Sequence, residues 1–211
     1  MIKIEKVETF GWEAAIRGMR NPKNSWDRID SEWKDNEYEL GQNDHKLASA
    51  LAKGGPVHAK YRRMITVYAD ITAPLFWWKE FDTYKVGTVA NSCSTMHKIH
   101  AKEFTVDDFS FDITKYDSYT RRCIDDTLNV LNKARVLFLE LGDKAYWRYM
   151  IELLPSSYNQ KRTVMLNYEV LHNIYFSPRY NHKLKEWRDF CEWIKTLPYS
   201  ELIVSDTSED N

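Results

Sequence analysis

The sequence predicts a mixed α/β protein in which residues 1–204 form one domain. Apolar and polar residues alternate over 65–71, which is the period of a strand with one buried face. Longer segments in the second half repeat apolar residues every three or four positions, as amphipathic helices do. The 211 residues include no internal repeat and no low-complexity linker, and this length is sufficient for one sizeable core.

Short strands and short helices are predicted to alternate in the first part of the chain. Asn21-Pro22 stops the first helix, Asp44 is the predicted N-cap of the second, and Pro74 ends the strand that follows. Gly54 and Gly55 close the second helix. In chain order the predicted elements are a strand at 2–7, a helix at 12–20, a polar surface loop at 24–43, a helix at 44–53 and a strand at 65–71.

Helices dominate the predicted second part. Gly142 caps the longest one, and Val164, Leu171 and Ile174 mark one face of another. Residues 205–211 are polar and acidic, and a disordered tail is expected there. In chain order the predicted elements are a helix at 75–84, a polar loop at 88–98 from which a further helix could start, a connection at 102–120, and helices at 121–141, from 145 to before Pro155, 161–175 and 184–196.

Composition excludes several classes of function. The net charge of −1 provides no large basic field for duplex nucleic acid, whereas a small phosphorylated ligand needs only a few local cations. No apolar run is long enough to span a bilayer, and the N-terminus lacks a signal-peptide core. Three cysteines, far apart and odd in number, argue against a disulfide framework. We therefore expect a cytoplasmic protein, in the host cytoplasm if a virus encodes it, with no membrane or duplex partner.

An aromatic run, Phe76-Trp77-Trp78, lies in the predicted helix at 75–84 together with Phe81 and Tyr84. Aromatic side chains at this density favour core packing, and the alternative is stacking on a base or an isoalloxazine ring. A helix packed on one face cannot bury both Trp77 and Trp78. One of the two is therefore expected to reach an interface or a ligand.

The loop after this helix combines small polar side chains that suit an anionic ligand. Hydroxyls, an amide and free backbone N–H groups where a loop meets a helix bind phosphate or carboxylate. The same residue types are also common as ordinary helix caps, which is the alternative interpretation. The residues concerned are Asn91, Ser92, Ser94 and Thr95.

The same region contains part of a metal-ligand set. Cys93, His97 and His100 have suitable residue types and helical spacing, but a fourth ligand is missing, so no metal site is expected. No base is identifiable beside Cys93, which leaves the thiol without the activation that a nucleophile needs. No catalytic residue is assigned from the sequence.

The order of residues between Ala73 and His97 resembles the signature of the flavin-dependent thymidylate synthases (ThyX). That family has an Ala-Pro turn, a Gln-Trp pair, an Arg-His-Arg segment, a Ser-x-Asn step and a Ser-x-Arg step that ends in Tyr. The corresponding positions here are Ala73-Pro74, Glu80-Phe81, Thr83-Tyr84-Lys85, Asn91, Ser94, Met96 and His97. On this pattern the chain is identified as a divergent member of the superfamily with a degenerate signature.

Further matches extend the resemblance over roughly residues 10–195. They are Ala15-Ile16-Arg17, Ser25-Trp26-Asp27, Leu153-Leu154-Pro155, Asn167, Arg179 and His182. The resemblance implies a central twisted, largely antiparallel sheet with helices on its faces. It also implies FAD as a candidate cofactor, a pyrimidine deoxynucleotide as substrate, and a homotetramer whose sites are built from several subunits.

Three positions where the family has arginines that bind nucleotide phosphate and flavin carry Thr83, Met96 and Glu169 instead. Each charge-assisted bond lost in a desolvated site costs about 1.5–3 kcal/mol, and micromolar binding amounts to only about 8 kcal/mol. Either other cations substitute or the ligand differs. The cations available as substitutes are Lys79, Lys85, Lys98, His97, His100, Arg62, Arg63 and Arg162.

These observations predict a nucleotide-binding protein with a ThyX-like fold. One hypothesis is flavin-dependent methylation of a pyrimidine deoxynucleotide. A second is a non-catalytic homologue that binds or sequesters a phosphorylated nucleotide or nucleotide-derived signal, for example a phage counter-defence protein. A third is an interaction protein whose pocket has decayed. The predicted ligand-binding residues are Lys79, Glu80, Thr83, Tyr84, Lys85, Asn91, Ser92, Ser94, Thr95, His97, Arg162, Asn167 and Glu169.

Overall fold

The structure of the protein is a computed structural model that describes residues 2–205 with the exception of the Pro178 side chain. Its strands are β1 (Lys3–Phe10), β2 (Glu32–Lys34), β3 (Glu37–Glu39), β4 (Thr66–Pro74), β5 (Val89–Ser92) and β6 (Asn159–Asn167). Four of them form one sheet in the order β1-β4-β6-β5, and β2 pairs antiparallel with β3. Helices and an antiparallel sheet are combined in one chain, which confirms the predicted fold class.

The helices are α1 (Trp12–Arg20), α2 (Gln42–Lys53), α3 (Leu75–Phe81), α4 (Ser118–Leu141), α5 (Lys144–Glu152), α6 (Tyr168–Ile174), α7 (Lys185–Ile194) and α8 (Glu201–Val204). Short 3-10 turns at 21–23, 26–28 and 59–63 connect the elements of the first third of the chain. No helix among residues 2–205 is both long enough and apolar enough to cross a membrane.

Several predicted elements are confirmed where local signals and periodicity agree. Helix α1 has the predicted bounds, and every second residue of β4 from Val67 to Ala73 is buried. Gly142 ends α4 in the left-handed conformation, with a φ of 67° that suits glycine. The opening strand and the helices α5 and α7 also lie where they are predicted, with ends that differ by a few residues.

The predicted helix at 161–175 is wrong in its first half. Residues 159–167 form β6, and only the second half is helical, in α6. Within β6, Val164 and Leu166 are buried, while Thr163 is exposed and Met165 is half-buried, which is the period of a strand. Asn167 marks the change, because its side chain accepts a hydrogen bond from the backbone N–H of Val170 and caps α6.

The predicted surface loop at 24–43 contains the β2–β3 hairpin. Its two turn residues, Asp35 and Asn36, both have positive φ values, 47° and 68°, as a two-residue hairpin turn requires. Asp44 is not the N-cap of α2 as predicted, since the helix begins at Gln42 after Gly41. Instead Asp44 is fully buried and forms an ion pair with Arg20.

Helix α3 ends at Phe81, earlier than predicted, and no helix begins within 88–98, where the structure has β5 and a turn. The expectation that Trp77 or Trp78 reaches an interface or a ligand is not met in the chain itself, because both are fully buried. The expectation assumed a helix packed on one face. The Trp77 ring stacks on Phe81, and the Trp78 indole N–H donates to the backbone oxygen of Gln160, so α3 is covered on more than one side.

The described chain divides into two compact units. Unit 1 comprises residues 2–3, 71–83 and 91–162, and unit 2 comprises 4–70, 84–90 and 163–205. Unit 1 has a core of Ile99, Phe104, Phe109, Leu131, Ala134 and Met150. In unit 2 the ring of Trp12 packs edge-on against Tyr168 and Tyr199. One domain over 1–204 stays a prediction, and most of the predicted tail at 205–211 lies outside the described residues.

Candidate functional site

Unit 2 contains an open groove of about 1010 Å³, which is at the upper end of the range for small-molecule sites. It lies among α1, α2 and the turns at 21–23, 26–28 and 59–63. Its lining residues are Gly18, Met19, Arg20, Asn21, Pro22, Lys23, Ser25, Arg28, Asn43, Lys46, Leu47, Ala50, Leu51, Val57, His58, Lys60, Tyr61 and Met64.

The charges that line this groove have one sign. Its rim carries the exposed cations Lys23, Arg28, Lys46 and Lys60 and the imidazole of His58. No Asp or Glu is among the lining residues in the described part of the chain. None of the four rim cations forms an ion pair with any residue in 2–205. Because like charges gathered without counter-ions attract an anion, the groove is electrostatically suited to phosphate.

Local backbone signals place these cations. Pro22 lies in the 3-10 turn that follows α1, and Asn24 takes a left-handed conformation with a φ of 48°, which turns the chain toward Arg28. On the other side, Gly54 caps α2 by donating its N–H to Ala50, and the 3-10 turn with Lys60 follows. Lys23 and Arg28 therefore come from the turns after α1, Lys46 comes from α2, and Lys60 comes from the turn after α2.

Apolar side chains form the remainder of the lining. Met19 and Tyr61 are buried, while Leu47 and Leu51 on α2 are half-buried. A site that combines apolar walls with a few cations binds ligands that have both a flat or apolar part and an anionic part. Nucleotides are one such class.

An ion pair fixes the floor of the groove. The Nε of Arg20 donates to Oδ1 of Asp44 at 2.6 Å, and both side chains are buried. The other carboxylate oxygen of Asp44 accepts from the backbone N–H groups of Asp30 and Ser31 and from the Ser31 hydroxyl. The carboxylate of Asp30 in turn accepts hydrogen bonds from the backbone N–H groups of Asn43 and Asp44. Burial raises the pKa of this carboxyl, but the hydrogen bonds lower it further, so that the pKa lies below its ordinary value. These bonds hold the segment before β2 against α2.

Arg162, a predicted site residue of unit 1, contacts several side chains. Its guanidinium lies 4.2 Å from the centre of the Trp78 ring, and its Nη1 lies 2.7 Å from Oδ1 of Asp82. Its Nε donates to the side-chain oxygen of Gln160, whose amide N–H donates to the backbone oxygen of Cys93. The structure thus brings Arg162 close to the end of α3. Through Gln160 it also connects Arg162 to the loop at 91–97, called the Ser94 loop below.

The Ser94 loop is held by hydrogen bonds within the loop. The hydroxyl of Ser94 accepts hydrogen bonds from the backbone N–H groups of Met96 and His97, at 3.1 and 2.9 Å. Trp147 donates its indole N–H to the backbone oxygen of Met96. The side chains of Asn91, Ser92 and His97 are exposed, and Thr95 is half-buried.

Three more predicted site residues of unit 1 lie in or just after α3. They are Lys79, Glu80 and Thr83. The hydroxyl of Thr83 donates to the backbone oxygen of Glu80 at 2.7 Å, so it acts as a local cap. Lys79 is exposed and Glu80 is half-buried. His100, one of the suggested substitute cations, packs its ring edge-on against Phe138.

In unit 2 the predicted residue Tyr84 belongs to a cluster around Arg179. The Nε of Arg179 donates to the Tyr84 hydroxyl at 3.0 Å, and its guanidinium lies 4.4 Å from the centre of the Trp187 ring. The Tyr84 hydroxyl also lies 3.2 Å from that of Ser177, and Nη1 of Arg179 lies 3.3 Å from Nε2 of His182. Lys85, the neighbour of Tyr84, is exposed.

Asn167 and Glu169 are the last two predicted residues, and the side chains of both make contacts within the protein. Asn167 caps α6, and its side-chain amide lies against Gly87. Glu169 is buried 3.8 Å from Nη1 of Arg62, and Arg62 is fully buried as well. Burial lowers the pKa of Arg62, although the charge of Glu169 opposes this effect. Arg62 is therefore not a surface cation that replaces a missing arginine.

The groove cations were not among the predicted site residues. They come from positions 23–60 and have no common motif, so only the folded chain assembles them. One signal did point to this region, because Ser25-Trp26-Asp27 belongs to the resemblance and Ser25 lines the groove. The predicted residues, by contrast, are distributed over both units.

Solved structures with this fold include thymidylate synthase X (ThyX) from Helicobacter pylori, determined with FAD and dUMP. It shares 15% sequence identity with this chain, and the match covers 96% of each chain with a TM-score of 0.68. The UMP/dUMP methylase PolB from Streptomyces cacaoi, bound with 5-Br dUMP, shares 14% identity. That match covers 96% of this chain and 94% of PolB with a TM-score of 0.61.

These similarities confirm the predicted resemblance at the level of the fold. No protein-family model and no curated protein sequence matches the chain. The likeness thus lies in the arrangement of the backbone, while the residues that would recognise a ligand have to be read from this chain itself.

Proposed function

We propose that this protein binds a phosphorylated nucleotide in the basic groove of unit 2. The observation that carries the proposal is the set of rim cations without ion-pair partners in residues 2–205, on a groove without a lining carboxylate among those residues. Solvated surface lysines are usually interspersed with acidic residues, as expected for a chain with 30 basic and 31 acidic residues. This groove departs from that pattern.

The charges and the volume of the groove agree with a nucleotide. Two or three charge-assisted bonds of about 1.5–3 kcal/mol each account for much of the roughly 8 kcal/mol of micromolar binding. The remainder comes from burying a base and a sugar against the apolar wall of Leu47, Leu51 and Met64. Support also comes from the similar folds, since ThyX and PolB were solved with dUMP or a brominated analogue.

Flavin at the positions implied by the resemblance does not fit the residues present. Thr83 uses its hydroxyl within its own turn, Met96 carries no charge, and Glu169 is an acid in a buried ion pair. None of the three offers a cation to a diphosphate. Nucleotide binding in the groove therefore supports a non-catalytic homologue that holds or sequesters its ligand.

Calorimetry tests this function directly. Wild-type protein is titrated with UMP, dUMP and the corresponding diphosphates and cyclic nucleotides, and compared with the double variant Lys46→Gln/Lys60→Gln. We expect micromolar binding that weakens with salt and falls at least tenfold in the variant, which corresponds to about 1.4 kcal/mol. Lys133→Gln is the matched control, because Lys133 is an exposed lysine on α4 in unit 1. Absence of binding by every nucleotide, or equal affinity in the double variant, would refute the proposal.

Flavin-dependent methylation of a pyrimidine deoxynucleotide is the second candidate, and the size of the groove favours it. A volume of about 1010 Å³ has room for a ligand larger than a mononucleotide. In this case FAD would be held by the groove cations rather than at Thr83, Met96 and Glu169. Purified protein is incubated with FAD, dialysed and scanned for flavin absorbance. A colourless protein after this treatment excludes the candidate.

Assembly as a homotetramer, which the family resemblance of the sequence implies, is also proposed. Sedimentation of the purified protein with and without nucleotide measures the mass in solution. A monomer under both conditions would remove any role for sites built from several subunits.

A further inference from the structure

We infer that Arg20 binds an anionic oxygen of the ligand at the floor of the groove, and that Asp44 positions it for this role. The inference rests on the proposed function, since it assigns a buried contact of the same groove. It concerns a residue outside the predicted site and distinct from the exposed rim cations.

Arg20 has an unused hydrogen-bond donor. The residue lines the groove and is only 4% exposed, yet its Nη2 has no hydrogen-bond partner among residues 2–205. A buried donor without a partner lowers stability, and the cost is larger for a charged group. Buried polar groups are nearly always hydrogen-bonded, and one that the protein leaves unpaired points to a functional role or to a bound ion or water.

The ion pair with Asp44 does not saturate Arg20. Arginine and carboxylate often form two parallel hydrogen bonds, whereas within the described residues 2–205 Arg20 donates to Asp44 Oδ1 through Nε alone. The second oxygen of Asp44 is committed to the Ser31 hydroxyl and to the N–H groups of Asp30 and Ser31. Asp44 therefore holds the guanidinium through Nε, and Nη2 has no acceptor among residues 2–205.

The chemistry of the groove identifies that acceptor as an anion. Arginine is permanently charged and offers a planar set of donors that matches phosphate oxygens. The neighbouring charges on the rim are also positive, and no lining carboxylate in the described residues competes for the guanidinium. A ligand with a terminal phosphate can thus contact the rim cations and Arg20 at the same time.

Pyrophosphate is the probe that tests this inference, because it supplies the anion without a base. Binding is measured by calorimetry for wild type, for Arg20→Lys and for Arg17→Lys. Lysine at position 20 keeps a charge for Asp44 but loses the planar terminal donors. We expect Arg20→Lys to lower the affinity ten- to hundredfold. Arg17→Lys serves as the control and should bind as wild type does, because Arg17 is an exposed residue of α1 that pairs with Glu13 and does not line this groove.

A second measurement covers the case in which Arg20→Lys does not fold. In wild-type protein labelled with ¹⁵N, the side-chain N–H resonances of Arg20 are followed as pyrophosphate is added. We expect them to shift with the same dissociation constant that calorimetry gives. Wild-type affinity in a folded Arg20→Lys variant, or Arg20 resonances that do not shift at saturation, would overturn the inference.

The outcomes separate this inference from the proposed function. If Lys46→Gln/Lys60→Gln weakens nucleotide binding while Arg20→Lys does not, the groove binds nucleotide through its rim alone and Arg20 serves only the ion pair with Asp44. If neither pyrophosphate nor any nucleotide binds wild-type protein, the proposed function fails and this inference fails with it.

Discussion

The carboxylate of Glu169 lies 3.8 Å from the guanidinium of Arg62, and both side chains are almost completely removed from water. Arg62 also donates to the backbone oxygen of Leu202 and to the hydroxyl of Ser205. The family resemblance places a nucleotide-binding arginine at position 169. A second cation there would face Arg62 in the interior, so the acidic residue at this position is explained by the charge that it meets.

Removing the negative charge at position 169 should destabilise the protein. In Glu169→Gln the buried Arg62 loses its counter-charge, and breaking a buried pair typically costs about 3–5 kcal/mol. Glu169→Arg, which restores the family residue, should be worse because it adds a like charge. Urea unfolding followed by circular dichroism gives the free energies. Glu140→Gln, an exposed site on α4, is the control and should change the free energy of unfolding by less than about 0.5 kcal/mol. A Glu169→Arg protein as stable as wild type would show that the pair carries no such energy.

Arg162 should contribute more to stability through Trp78 and Gln160 than through its ion pair with Asp82. The Asp82 side chain is half exposed, and pairs of this kind contribute about 0.2–1 kcal/mol. Asp82→Asn should therefore cost no more than that. Arg162→Ala should cost more, since it also removes the stacking on Trp78 and the bond to Gln160. Equal costs in the two variants, measured by urea unfolding, would contradict this ranking.

Gly87 should not tolerate a side chain. Its φ is +75°, and a Cβ atom there would lie 2.7 Å from the side-chain amide nitrogen of Asn167. Gly87→Ala therefore combines the left-handed strain of about 1–2 kcal/mol with displacement of the residue that caps α6. Gly55→Ala is a matched control, because Gly55 has a φ of +84° and no atom of the other described residues lies within 4 Å of the added Cβ. Thermal unfolding should show a clearly larger loss for Gly87→Ala, and equal losses would mean that Asn167 is not affected.

The sequence predicted elements well where a local signal and a buried face coincide. Proline and glycine bounded α1 and α4, and the strict alternation from Ile65 to Ile71 identified β4. The error at 161–175 has a physical origin. Val164, Leu171 and Ile174 are seven and three positions apart, which is also the spacing of a helical face, although Val164 lies in a strand and the other two in a helix.

The candidate groove could not be predicted in the same way. Lys23, Arg28, Lys46 and Lys60 are each unremarkable as surface cations, and what distinguishes them is the absence of lining carboxylates among the described groove residues. That property depends on how α1 and α2 come together in unit 2. Many of the predicted residues follow instead from the family signature, and in the structure Thr83, Asn167 and Glu169 make local or interior contacts.

The buried thiol of Cys191 should make stability fall steeply in alkali. Burial raises the pKa of Cys191 from 9.0 to about 12. A raised pKa means that the folded state holds the proton more tightly than the unfolded state. The stability that the protonated thiol contributes is fully present below pH 9. It is lost as the pH rises toward 12, at about 1.4 kcal/mol per pH unit. Urea unfolding of wild type and Cys191→Ala between pH 8 and 12 separates this slope from other alkaline effects, including the raised pKa of Tyr61, which both proteins share. Identical slopes in the two proteins would mean that the thiol ionises as freely in the folded chain as in water.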